Sequence, residues 1–428
     1  MEKKQGNFLV ILVMILLFGM ISFVTNLASP MGDILKNQFS VANWMGTLGV
    51  LANFIAYAVM GIPAGNMLQK YGYKKTALIA VAVGFIGVGI QTLSGLINSN
   101  TAFGIYLLGA FIAGFSMCML NIVVNPMLNK LGGGGNKGNQ LVQVGGSFNS
   151  LMGTACIFLT GVFVPSIVEA KISQVFPLMF IALGIFALAF IVISMTKIPE
   201  NPVQAVAKGE KSQYGPMSFR HFIFGAIAIF IYVGVEVGIP NVLQKWLQNG
   251  GLNVATGAEA IAGTVTATYW FLMLIGRLLG AAVGAKVSAK AMLTTVSGIG
   301  LIFVVLAIFL NPSVVVNLPV FKGTDGFGLA QVPVNAALLV LCGLCTSVMW
   351  GGIFNLAVEG LGKYTEKASG IFMALVCGGG ILPFVQNLVV DLSGNYLVSY
   401  WVVAAGLAFL LFYALAGSKN VNKDIPVE

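Results

Sequence analysis

The chain has 428 residues, of which 58% are hydrophobic and only 8% are Asp, Glu, Lys or Arg; its mean hydropathy is +0.94 and its formal charge +9. Soluble domains carry roughly 25% charged residues, so a soluble globular fold is excluded and the chain belongs in lipid. The basic excess lies in short segments between apolar runs, which is the pattern of loops facing anionic lipid and argues against a nucleic-acid partner.

A helix that crosses a bilayer needs about 20 mostly apolar residues, because hydrocarbon offers no partner to an unpaired N–H or C=O. Twelve stretches meet this need, at about 8–35, 42–68, 76–97, 102–128, 140–168, 175–196, 221–247, 260–284, 291–310, 334–357, 368–390 and 396–417. They are numbered here as spans 1 to 12. With both termini cytoplasmic, the outward connections hold only Lys36, Lys171, Lys245 and Lys322, Arg277 lies inside span 8, and every other basic residue faces the cytoplasm. That asymmetry orients the chain. The run after Met1-Glu2-Lys3-Lys4 is too long for a signal peptide, and further spans follow it.

Spans 2 and 3 are joined by a short basic turn, Gly65-Asn66-Met67-Leu68-Gln69-Lys70-Tyr71-Gly72-Tyr73-Lys74-Lys75, of the form G-x(4)-[KR]-x-G-x-[KR]-[KR]. This resembles the connection between helices 2 and 3 of the major facilitator superfamily, and the resemblance makes Gly65, Lys70, Gly72 and Lys74 parts of a gating loop. It also implies an all-α integral membrane protein with twelve transmembrane helices in two pseudo-symmetric six-helix bundles.

Spans 4 and 5 are rich in amides. Asn121 and Asn125 are one turn apart on one helical face. Gln143, Ser147 and Ser150, or alternatively Gly146 and Asn149, form similar faces on span 5. A polar side chain in lipid costs free energy unless it is paired. Interhelical hydrogen bonding accounts for any one of these residues, whereas the set marks a polar cavity.

A polar stretch from Lys197 to Arg220, carrying Pro199 and Pro202, divides the spans into an N-terminal bundle 1–197, a cytoplasmic linker 198–218 and a C-terminal bundle 219–428. Spans 4 and 10 both end in N-x(5)-L-G, beginning at Asn125 and Asn355, as internally repeated carriers do.

Glu236 in span 7 is the one acid placed deep. Counted from His221 at about 1.5 Å per residue, it lies about 22 Å into a core about 30 Å thick. An ionisable group there is a functional candidate, here for ion coupling, against the alternative of a structural bond within the bundle or to Arg277. Tyr269, Trp270, Trp350, Asn355, Gln386 and Asn387 add aromatic faces and amides to the second half, the groups that sugar recognition requires.

Taken in order, Pro63-Ala64-Gly65, Asn125-Pro126, Leu131-Gly132, Ser147-Phe148-Asn149-Ser150, Tyr232-Val233-Gly234-Val235-Glu236-Val237, Tyr269-Trp270, Gly276-Arg277 and Ile381-Leu382-Pro383 resemble the fucose-permease-like sugar transporters over nearly the whole chain. The resemblance implies a monomeric carrier of a hexose, deoxyhexose or N-acetylhexosamine in the cytoplasmic membrane. It would work by alternating access around one site between the bundles, coupled to protons. Two departures matter. Where proton-coupled members place an aspartate in helix 1 and a glutamate in helix 4, this chain has Ser29 and Asn121, and Gln69 replaces the acid of the gating loop. Facilitated diffusion, sodium coupling and a proton route through Glu236 therefore all stay open.

The substrate-binding candidates are Asn26, Ser29, Asn121, Asn125, Gln143, Asn149, Tyr269, Trp270, Trp350, Asn355 and Gln386, with Glu236 as the ion-coupling residue. The alternative is an exporter of drugs or organic anions. An enzyme fits poorly, because the deep spans pair no nucleophile with a base and the single histidine, His221, stands at a helix entrance. Cys342 and Cys345 form a C-x-x-C that reads as helix packing, so neither a metal nor a cofactor is expected.

Overall fold

The computed structural model describes residues 2–41, 45, 48–97, 99–163, 171–200, 214–252, 258–321, 326–422 and 424–427. Most of linker 198–218 lies outside these residues, as does the side chain of Ser29. Helix dominates, because apolar sequence in lipid must satisfy its backbone within each segment. Helix α1 is Glu2–Phe39. Helices α2 and α3 are the two limbs, 48–71 and 73–94, of Leu48–Ser94, which turns at Gly72 with φ 77° and ψ −179°. Only glycine enters that region without strain.

There follow α4 (Thr101–Leu131), α5 (Gly135–Phe163), α6 (Phe176–Met195), α7 (Arg220–Trp246), α8 (Ala258–Val283) and α9 (Ala289–Phe309). Helix α10 runs in two segments, Val334–Thr346 and Met349–Val358; α11 comprises Thr365–Ala374, a 3-10 turn at Leu375–Cys377, and Gly378–Ser393; α12 is Tyr400–Phe412. Among the described residues ten helices are long and apolar enough to cross a membrane. One of them, Leu48–Ser94, contains both α2 and α3, and the 29-residue α5 completes the twelve expected from the sequence.

One element is an addition to that expectation. Between α9 and α10, strands β1 (Val315–Phe321) and β2 (Phe327–Pro333) pair antiparallel from Val315 opposite Pro333 to Phe321 opposite Phe327. Short alternating runs of this kind are hard to tell from a connection by periodicity alone.

The chain packs as two compact units. The first comprises Met1–Ile223, Val358–Cys377 and Asn420–Glu428, and the second comprises Phe224–Ala357 and Gly378–Lys419. In the first unit α4 is central: every residue from Ser116 to Leu128 is buried, as expected of a helix apolar on all sides. Helix α3 lies so close to α4 that a Cβ on Gly87 would come within 2.5 Å of the Ala113 nitrogen. The first segment of α11 belongs to this unit and lies against α2, where a Cβ on Gly61 would stand 2.5 Å from the Ala374 nitrogen. Small residues allow such approaches, which supply much of the packing between membrane helices. Helix α6 instead presents Phe180, Leu188 and Met195 outward, as a lipid-facing helix does.

Candidate functional site

The polar centre of the second unit begins with a proline. Pro240 has no N–H, so the carbonyl of Glu236, four residues earlier on α7, has no helical partner. Tyr269 of α8 fills the gap, its hydroxyl donating to that carbonyl at 3.1 Å. The same hydroxyl lies 2.9 Å from Thr346 Oγ1 on α10. The Glu236 carboxylate accepts from Arg277 Nη2 at 3.2 Å, and Arg277 Nε donates to the carbonyl of Ser347 at 3.3 Å. Ser347 stands where α10 is interrupted between its two segments. The bond from Glu236 to Arg277, set against ion coupling in the sequence as the structural alternative, is present.

The two charged side chains are 10% and 13% exposed, so the pair sits in a low-dielectric setting where attraction and desolvation are both large. Aromatic rings border it. Tyr232 meets Trp350 edge-on at 6.3 Å between centroids, and Tyr269 meets Trp270 at 5.4 Å. Further along α7 and α11, Asn387 donates to Asn241 Oδ1 at 3.1 Å and to the Pro383 carbonyl at 2.7 Å, and accepts from Lys245 Nζ at 2.8 Å. Beside it Gln386 is 1% exposed, its Oε1 against Gly238 and its Nε2 without a hydrogen-bond partner among the described residues. A buried amide donor left unpaired is costly, and it is the kind of group that a bound hydroxyl would satisfy.

In the first unit the pair expected on one face of α4 is in contact. Asn125 Nδ2 donates to the Asn121 carbonyl at 2.9 Å and to its Oδ1 at 3.2 Å, while Asn121 Nδ2 donates to Tyr57 Oη on α2 at 3.0 Å. Asn149 of α5 donates to the Phe18 carbonyl of α1 at 2.8 Å, and Asn26 donates to the Ser22 carbonyl and Oγ at 2.9 and 3.0 Å. Asn26 also lies against Gly153, so both amides are set at the α1–α5 contact. Gln143 and Asn355 are buried on α5 and α10 at 2% and 7% exposure, the former with its carbonyl accepting from Ser147.

The gating-loop residues gather as well. Lys70 lies over the Tyr71 ring at 5.2 Å, and the Lys74 N–H and the N–H of Tyr73 point at the carboxylate of Glu200. Tyr57, Asn241, Lys245, Thr346 and Ser347 were not among the sequence candidates. A donor to the Glu236 carbonyl was foreseeable in kind, since a proline four residues on demands one, and the candidate Tyr269 supplies it.

Apolar helices in two compact units, one holding a cluster of amides and the other a charged pair bordered by aromatic rings, define a polytopic membrane protein of the carrier type. The chain matches the Major Facilitator Superfamily over residues 9–383 and belongs to that superfamily. It is 27% identical over 425 residues to a glucose/galactose transporter of Brucella abortus, covering 98% of this chain and 96% of that one. It is 22% identical to the L-fucose-proton symporter of Escherichia coli, covering 98% and 97%. In fold it is similar to the major facilitator transporter FucP in its outward conformation, with a TM-score of 0.80 at 20% identity over 97% of this chain and 100% of that one.

Proposed function

We propose that this protein is a carrier, not an enzyme, that moves a monosaccharide across the bacterial cytoplasmic membrane by alternating access of the six-helix halves 1–197 and 219–428, both termini lying in the cytoplasm. The observation that carries the reading is the coincidence of buried amides with aromatic faces: Asn121, Asn125 and Tyr57 in one unit, and Gln386, Trp270 and Trp350 in the other. Amides exchange donor and acceptor bonds with hydroxyls, and indole or phenol rings lie against the C–H face of a pyranose. The names of the relatives, glucose/galactose transporter and L-fucose-proton symporter, point to the same substrate class.

Coupling we assign to Glu236. Ser29 and Asn121 cannot take up a proton, whereas Glu236 is an enclosed carboxylate that accepts from Arg277 Nη2 at 3.2 Å. Protonation of Glu236, or binding of a further cation to its carboxylate, would change the charge of the site as the carrier turns over. The test is uptake of radiolabelled glucose, galactose, fucose, mannose and N-acetylhexosamines into proteoliposomes under a proton gradient, a sodium gradient or none. Accumulation of one sugar above equilibrium under one gradient is the expected result. The absence of uptake for every sugar would overturn the reading in favour of an exporter.

A further inference from the structure

We propose that Glu200 is a positioning residue of the transport cycle: its carboxylate, seated on the first N–H groups of α3, sets the contact between α2 and the first segment of α11. The proposal rests on the transport reading above.

Glu200 Oε2 accepts from the Tyr73 N–H at 2.7 Å and Oε1 accepts from the Lys74 N–H at 2.9 Å. These are opening donors of α3 that no helical carbonyl can reach, and a carboxylate there also complements the helix dipole. The geometry depends on Gly72, whose positive φ aims both N–H groups at one point; a Cβ on Gly72 would collide with the Glu200 carboxylate. Lys74 Nζ closes the ring by donating to the Ser194 carbonyl near the end of α6 at 2.7 Å. Lys70, Lys74 and Lys75 crowd this turn, and with Gln69 in place the turn has no acid of its own. The carboxylate arrives from more than a hundred residues away.

The residue clamped through its backbone carries the effect onward. The Tyr73 side chain is buried at 3% exposure, and its hydroxyl lies within Coulombic reach of both Glu200 and Glu366. Glu366 is in the first turn of α11. There α2 and α11 meet almost backbone to backbone: a Cβ on Gly65 would stand 2.9 Å from the Gly370 Cα and 3.3 Å from the Glu366 carbonyl oxygen. A contact without intervening side chains forms only if the end of α2 arrives at the right height and rotation. The Gly72 turn fixes both, and Glu200 holds that turn. Glu200 is itself exposed, so its bonds can break and re-form without a large desolvation penalty, as a clamp remade in each cycle requires.

The test compares the full-length wild type with E200Q, E200D and G72A in lipid, by hydrogen–deuterium exchange and by uptake. Loss of charge-assisted bonds to two amides should speed exchange at 73–76 about tenfold in E200Q. The proposal expects the acceleration to extend to 366–374, with maximal uptake falling several-fold at a nearly constant KM, and E200D to restore both. Should E200Q not fold, G72A disturbs the same seat from the other side and is read in the same way. Faster exchange confined to 73–76 with normal uptake would reduce Glu200 to a local helix cap and overturn the proposal, as would unchanged exchange throughout. The exchange measurement needs no substrate, so a wild type that moved none of the sugars would sink the transport reading and leave this test standing.

Discussion

Severing the ion pair between α7 and α8 should cost more than deleting it. Glu236 and Arg277 approach to 3.2 Å with side chains 13% and 10% exposed. At an effective dielectric of about 20 the attraction is about 5 kcal/mol before desolvation and ordering are subtracted. Removing one partner strands the other in the span, which costs about 3–5 kcal/mol in buried pairs, whereas replacing both with neutral groups of similar shape is far milder. Arg277→Gln should be the worse single change, because Arg277 also donates to the Ser347 carbonyl. Glu236→Gln keeps an acceptor oxygen at nearly the same place. The double variant should recover about half of the summed single losses, a coupling of about 3–5 kcal/mol in a double-mutant cycle. Equilibrium unfolding in mixed micelles, with SDS titrated against a mild detergent, measures each corner of the cycle. Additive losses, or an Arg277→Gln protein as stable as the wild type, would refute the claim that the pair acts as a unit.

Three further outcomes are expected. Glu236→Gln should abolish uphill uptake while sparing exchange of sugar across the membrane, measured by counterflow; intact accumulation would end the coupling role. Tyr269→Phe removes the donor to the Glu236 carbonyl that Pro240 leaves unpaired, and should cost about 1–2 kcal/mol in the same unfolding assay. Tyr57→Phe deletes the oxygen that accepts from Asn121 Nδ2, and should raise KM several-fold without lowering the amount of folded protein; an unchanged KM would detach the α2–α4 amide cluster from substrate.

The spans were legible because lipid imposes one simple demand, about 20 apolar residues whose backbone bonds close on themselves. The turn between α2 and α3 was legible because a glycine flanked by lysines between two apolar runs ends one span and starts the next, and the Glu236–Arg277 bond was foreseeable because each was the lone deep charge of its sign. What escaped notice escaped for physical reasons. A single Thr or Ser in an apolar helix ordinarily bonds back to its own turn, and Thr346 Oγ1 is within reach of that bond, 3.1 Å from the Cys342 carbonyl. Nothing local says that its oxygen also meets Tyr269. The seat of Glu200 on α3 is a contact between distant stretches of chain, visible only once the fold is formed. The break in α11 hid in Gly378-Gly379-Gly380, which reads as ordinary close packing; a Cβ on Gly378 would in fact collide with the Phe230 carbonyl oxygen.

The placement of the charged pair follows from where the helices are interrupted. Helix α7 loses a backbone bond at Pro240 and α10 is broken between Thr346 and Met349, so the stretch around Glu236 carries carbonyls that a regular helix would have satisfied. Two of the donors that reach them, Tyr269 Oη to Glu236 and Arg277 Nε to Ser347, come from α8. Arginine suits this position better than lysine, because its planar fork serves a backbone carbonyl with one nitrogen and a carboxylate with another. The guanidinium is thus held even when it is not neutralising Glu236. A carboxylate whose counter-ion has a second anchor can lose or gain a proton without releasing the neighbouring helices, and that property makes a buried ion pair usable as a coupling element.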